Sequence, residues 1–106
     1  MGKKKKPQDR VPINIDFDRM GIDMSSQYAC CAKKRAVIQW TCHDPIGIKF
    51  DWNAPFEIIR ELPNLIEMRI KDNAIPGHHY KYTVAAYHHN KVHILDPEVI
   101  VIPPRR

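Results

Sequence analysis

The sequence predicts an all-β fold, a Greek-key β-sandwich of about seven strands. Three observations carry this: short runs of alternating apolar and polar residues recur along the chain, turn residues separate them, and no stretch shows the period of a long helix. The clearest stretch runs from Tyr80 to Pro104. Tyr80-Lys-Tyr-Thr-Val-Ala-Ala-Tyr87 and Val92-His-Ile-Leu95 are rich in aromatic and β-branched residues, which fit a pleated, half-buried surface. The polar His88-His-Asn-Lys91 between them is a hairpin signal. The second run pauses at Asp96-Pro97, because a proline without an N–H belongs at an edge, a bulge or a strand start. It resumes as Val99-Ile-Val-Ile102, apolar on both faces, as a strand covered on both sides must be.

The remaining elements follow in chain order. Residues 1–10 are charged, polar and broken by Pro7, which predicts a disordered, solubilising arm ahead of one domain over 11–106. Val11, Ile13, Ile15 and Phe17 alternate with polar residues or proline, a half-buried strand that Pro12 starts at an edge. A short strand is expected near Gln27–Ala32. Ala36, Ile38, Trp40 and Cys42 then share one face of a strand over Arg35–Cys42, and His43 to Gly47 reads as a loop. Ile48, Phe50 and Trp52 alternate with Lys49 and Asp51, so both tryptophans are expected to face the core. Residues 53–63 fit either an extended piece or one helical turn that Pro63 ends. Ile66, Met68 and Ile70 give another strand. Pro76-Gly77 has the order that a type II turn requires.

The chain of 106 residues is long enough for a single core without disulfides. Its net charge of +5 is concentrated at the ends. Removing Lys3, Lys4, Lys5, Lys6, Arg10, Arg105 and Arg106, with Asp9, from 17 basic and 12 acidic residues leaves ten basic against eleven acidic. A nearly neutral body argues against a nucleic-acid face. There is no apolar segment of membrane-span length and no secretory pattern after the lysine run, so a cytoplasmic setting without membrane association is expected. Three cysteines, two of them adjacent, make no disulfide framework and are expected as free thiols there.

Five of the six histidines lie in or beside the terminal hairpin. A turn at Asn90-Lys91 sets His88 opposite His93, an imidazole pair suited to Cu(II), Ni(II) or Zn(II). A turn at His89-Asn90 sets Ala86 opposite His93 instead. His88 and His89, as strand neighbours, face one ion only if the turn twists them together. A second cluster is Cys30, Cys31, Cys42 and His43, although the Cys-x-x-Cys spacing of thiolate sites is missing and Cys42 is in phase with the core residues Ile38 and Trp40. No nucleophile elbow, phosphate-cradling loop or His-Glu-x-x-His helix is present, so no catalytic residue is assigned and no enzyme is expected.

Val37-Ile-Gln-Trp-Thr-Cys-His-Asp44 before the strand Ile48-Lys-Phe50, together with Tyr80 to His88 and Val99-Ile-Val101, resembles the cupredoxins. The chain is also similar to small uncharacterised bacterial β-sandwich proteins that end in a Leu-Asp-Pro-Glu-Ile-like strand. The resemblance implies the fold, with an immunoglobulin-like sandwich as the alternative. It implies no type 1 copper, because Ile48 and Lys49 stand where the first histidine ligand belongs, Ala85, Ala86 or Tyr87 stands where the cysteine belongs, and no methionine follows His88 or His89. The expected function is therefore a non-enzymatic, monomeric binding module with a protein partner and no resident cofactor. Weak Cu, Ni or Zn binding by the hairpin histidines is the alternative, and a nucleic-acid accessory role is the third. Tyr80 and Tyr82 share one face of their strand and Tyr87 the other; one set is expected in the core, and the other, with Lys81, is a candidate partner-binding face or a modest oligonucleotide platform.

Overall fold

The structure, a computed structural model, describes residues 10–19, 21–24 and 29–103, of which 29 and 30 are described only in their backbone. Most of the basic arm, the Cys30 side chain and the terminal arginines thus lie outside the described residues. Arg10, grouped with the arm on charge, is the first residue of a strand.

Ten strands and no helix make up the described chain, in two packed sheets. They are β1 (Arg10–Asp18), β2 (Gly21–Asp23), β3 (Ala29–Ala32), β4 (Val37–Cys42), β5 (Ile46–Phe50), β6 (Phe56–Leu62), β7 (Leu65–Ile70), β8 (His79–His88), β9 (Lys91–Leu95) and β10 (Glu98–Val101). The first sheet runs β2-β1-β4-β7-β6; the second runs β3-β10-β8-β5, with β9 also paired to β8. Both sheets are mixed, since β1 lies parallel to β4 and β3 parallel to β10. The strand count exceeds the seven expected. Glycine-bounded β2 is too short to show alternation, and 56–62, read as an extended piece or a helical turn, is a full strand whose register slips between Ile58 and Arg60.

The alternation read from the sequence holds in β1, β4, β7 and β8. Val11, Ile13 and Ile15 of β1, Ile38 and Trp40 of β4, Ile66, Met68 and Ile70 of β7, and Tyr82, Val84 and Ala86 of β8 are buried between the sheets. Pro12 is tolerated because β2 pairs only with Asp16–Asp18, leaving the earlier part of β1 at the border of the described sheet. Pro97 is accommodated without a register break. Leu95 faces Val84, Glu98 faces Lys81, and Tyr82 N–H donates to the buried Pro97 carbonyl at 3.0 Å. The proline therefore removes a single ladder donor from an otherwise continuous pairing with β8.

The two tryptophans part company. Trp40 is fully buried, whereas Trp52, expected to face the core, is 96% exposed. The chain stops being a strand at Phe50 and turns through Asp51–Ala54, closed by Ala54 N–H to Asp51 O at 2.9 Å, so the alternation has no meaning at position 52. The aromatic part of the core is a connected set of rings around Trp40. Phe50 stacks on Phe56 with centroids 4.0 Å apart and on Tyr82 at 4.8 Å, and Trp40 meets Tyr82 edge-on at 5.3 Å. On the outer face of the first sheet, the buried Glu67 accepts hydrogen bonds from Arg10 and Gln39, with Arg60 Nε 3.7 Å away, so its charge is compensated.

Candidate functional site

The β8–β9 hairpin positions every candidate histidine of the chain's end. It closes through His89 and Asn90, both with left-handed backbone (φ 50° and 61°), the geometry of a type I′ turn. Asn adopts this conformation readily, and its Oδ1 accepts from Tyr87 OH at 3.2 Å. Of the two registers compatible with the sequence, the turn selects the one that pairs His88 with Lys91 and Ala86 with His93. His88 and His93 are consequently diagonal neighbours on the inward face, not direct partners.

They nevertheless belong to one cluster at the open end of the sandwich. Phe17, the last inward residue of β1, stacks on His88 with centroids 4.0 Å apart and meets His93 edge-on at 5.4 Å. The His88 and His93 rings are 6.1 Å apart. The twist of the turn brings His89 to 3.9 Å from His88, which regular strand geometry forbids. Asp44, from the β4–β5 loop, holds the cluster from the other side, with Oδ2 2.8 Å from His88 Nδ1. A carboxylate accepts only, so His88 donates from Nδ1 and its Nε2 is left as the lone-pair nitrogen of the neutral ring. Gly21 begins β2 beside His93 with φ 126°, a conformation that favours glycine; a Cβ there would meet His93 Nδ1 at 3.5 Å, an ordinary contact. A cleft of about 440 Å³ opens here between Phe17, His88, His89 and His93, with Asp18, Arg19 and Lys91 on its rim. Among the described residues no three His, Cys, Asp or Glu side chains converge as a ready metal site.

The cysteines and His43 are elsewhere. Cys31, paired with Ile100 on β10, is exposed, while Cys42 is half-buried against the core of the other sheet and His43 is exposed. Burial pushes the Cys42 thiol up, and the charges of Asp44 and Asp16 add to this against opposing hydrogen bonds from the Asp44 and His43 amides. That makes it a poor source of thiolate.

The opposite face of the same hairpin is apolar and open to solvent. Tyr87 pairs with Val92 and Ala85 with Ile94, so their side chains share the outer surface of the second sheet. Tyr87, Val92 and Ile94 are 48%, 63% and 64% exposed. On the neighbouring strand Gly47 faces Ala85, and the space where its Cβ would stand is empty to 4 Å. Further along this face lie Lys49, Lys81, Thr83 and Asp96, which with Asp51 and the exposed Trp52 line a cleft of about 610 Å³. Thr83 donates to Asp96 at 3.1 Å across it.

Sequence reading located the histidines and set Tyr87 on the face opposite Tyr80 and Tyr82 but missed two things. Asp44 reads as a turn residue, and only the packing of the β4–β5 loop on β8 gives it a partner. Val92 and Ile94 read as ordinary strand residues, although their phase with Tyr87 follows once the turn is fixed at His89-Asn90. Compared with known proteins, the chain matches no family model, and no curated protein shows significant similarity to it.

Proposed function

We infer that this chain is a non-enzymatic interaction module whose outer β5–β8–β9 face binds another protein. The observation that carries this reading is the exposed apolar cluster of Tyr87, Val92 and Ile94, beside the small residues Gly47 and Ala85. A solvent-facing sheet surface is ordinarily polar, and over Val92–Ile94 the alternation is inverted, with Val92 and Ile94 outward and His93 inward, before Leu95 returns to the core. Such a cluster fits an interface centre, with an aromatic residue among flat apolar neighbours and charged groups kept to its border. Lys49 and Lys81 in the adjoining cleft are matched by Asp51 and Asp96, a balance that suits a protein surface better than a phosphate backbone. In a cytoplasmic setting the module works with its cysteines reduced. For the architecture, the two parallel strand pairs favour the cupredoxin-like reading over a constant-type immunoglobulin sandwich, whose sheets are antiparallel.

The test is site-specific photo-crosslinking in cells that produce the chain. A photoreactive residue at position 92 or 94 is expected to give one discrete adduct with a different protein, and the same residue at position 59 on β6 is expected to give none. Equal labelling from all three positions, or an adduct of twice the chain's own mass, overturns the reading.

A further inference from the structure

The geometry points to a divalent metal site of the Cu(II), Ni(II) or Zn(II) class at the inner side of the hairpin, with His88 and His93 as ligands, Asp44 as the positioning residue and solvent completing the coordination. This site is independent of the outer face. Its first support is the Asp44–His88 contact of 2.8 Å, which fixes the ring and directs Nε2 as the donor, the arrangement by which carboxylates orient metal-binding imidazoles. The second is spacing. Two imidazoles each about 2.0–2.1 Å from a shared ion have centroids roughly 5–6 Å apart. The 6.1 Å between His88 and His93 matches this with a small adjustment, whereas the 3.9 Å between His88 and His89 is too short. The third is placement: Phe17 stacks on the face of His88, shielding the ring without blocking its edge, and the cleft of about 440 Å³ gives an ion and its waters a way in. Neutral nitrogen donors select borderline metals over magnesium or calcium, which require oxygen ligands. Arg19 and Lys91 on the rim oppose a cation and Asp18 favours it, so the affinity rests on the two imidazoles.

The experiment titrates the tag-free full chain with Zn(II) by calorimetry and follows the imidazole nitrogens by long-range proton–nitrogen NMR. One saturating equivalent is expected, with shifts at His88 and His93 and none at His78 or His79. His93→Gln is expected to abolish the site, His78→Gln to leave it intact, and Asp44→Asn to weaken it 10–100-fold while releasing His88 from a single tautomer. Unsaturable binding spread over all the histidines, or undiminished affinity in His93→Gln, overturns the proposal. An unchanged affinity and tautomer in Asp44→Asn removes Asp44 from it. His93 is only half-buried near the hairpin's tip, so His93→Gln decides the question even if Asp44→Asn misfolds.

Discussion

Trp40 Nε1 on β4 donates to Tyr82 OH on β8 at 3.0 Å, a buried hydrogen bond that joins the two sheets at the centre of the core. Tyr82 is not replaceable by a plain hydrocarbon ring without cost, since an indole N–H shut away from water needs an acceptor.

Tyr82→Phe keeps the ring and its stacking on Phe50 but strands that N–H. The expected cost is about 1–3 kcal/mol, read as a lower urea midpoint with an unchanged slope. A midpoint equal to that of the parent chain shows that the bond is not a net contributor.

Cys42 and Cys31 should separate by reactivity. With its thiol pushed up by burial, Cys42 presents less thiolate near neutral pH than an ordinary cysteine, while Cys31 is exposed. Timed maleimide labelling with peptide mapping is expected to modify Cys31 first and Cys42 only slowly. Faster labelling of Cys42 contradicts the burial described for it.

Arg35 clasps Asp72 through Nε to Oδ1 at 2.7 Å and Nη2 to Oδ2 at 2.9 Å. The hydrogen bond from Arg35 holds the Asp72 carboxyl below its ordinary value, with a smaller charge effect from Arg35 and Lys34. Because the folded value is depressed, the pair's contribution is complete above the unfolded carboxyl's pKa and fades as pH falls through the folded one. Both side chains are exposed, so the effect is small. Asp72→Asn is expected to flatten the loss of stability below about pH 4 in acid-side denaturation curves. Identical slopes in the two proteins refute a role for the pair.

The sequence was most legible where one face is buried. Ile13 and Ile15, Ile38 and Trp40, Ile66 to Ile70, and Tyr82 to Ala86 face inward as their phase requires, because a one-residue slip would turn every apolar side chain outward. Legibility failed where a tertiary decision ends the pattern. Trp52 continues an alternation that the backbone has already left, and 56–62 shows little period because almost all of β6 is exposed. The histidine cluster was half legible. The residues are conspicuous, but their arrangement depends on whether the chain turns at His89-Asn90 or one residue later, a choice made by two left-handed residues. Asp44 and Phe17 join the cluster from strands and loops far away in sequence, and local patterns carry no record of such contacts.

The most direct measurement compares crosslinking from position 87 in the parent chain and in a Val92→Ser, Ile94→Ser variant, with the thermal midpoint of each. Both side chains lie largely in solvent, so each change should cost within about 0.5 kcal/mol and leave folding intact. If the outer face binds a protein, the variant melts like the parent chain and loses the adduct. An undiminished adduct from an intact variant would show that Val92 and Ile94 do not form the binding surface, and a collapsed midpoint would show that they serve the fold instead.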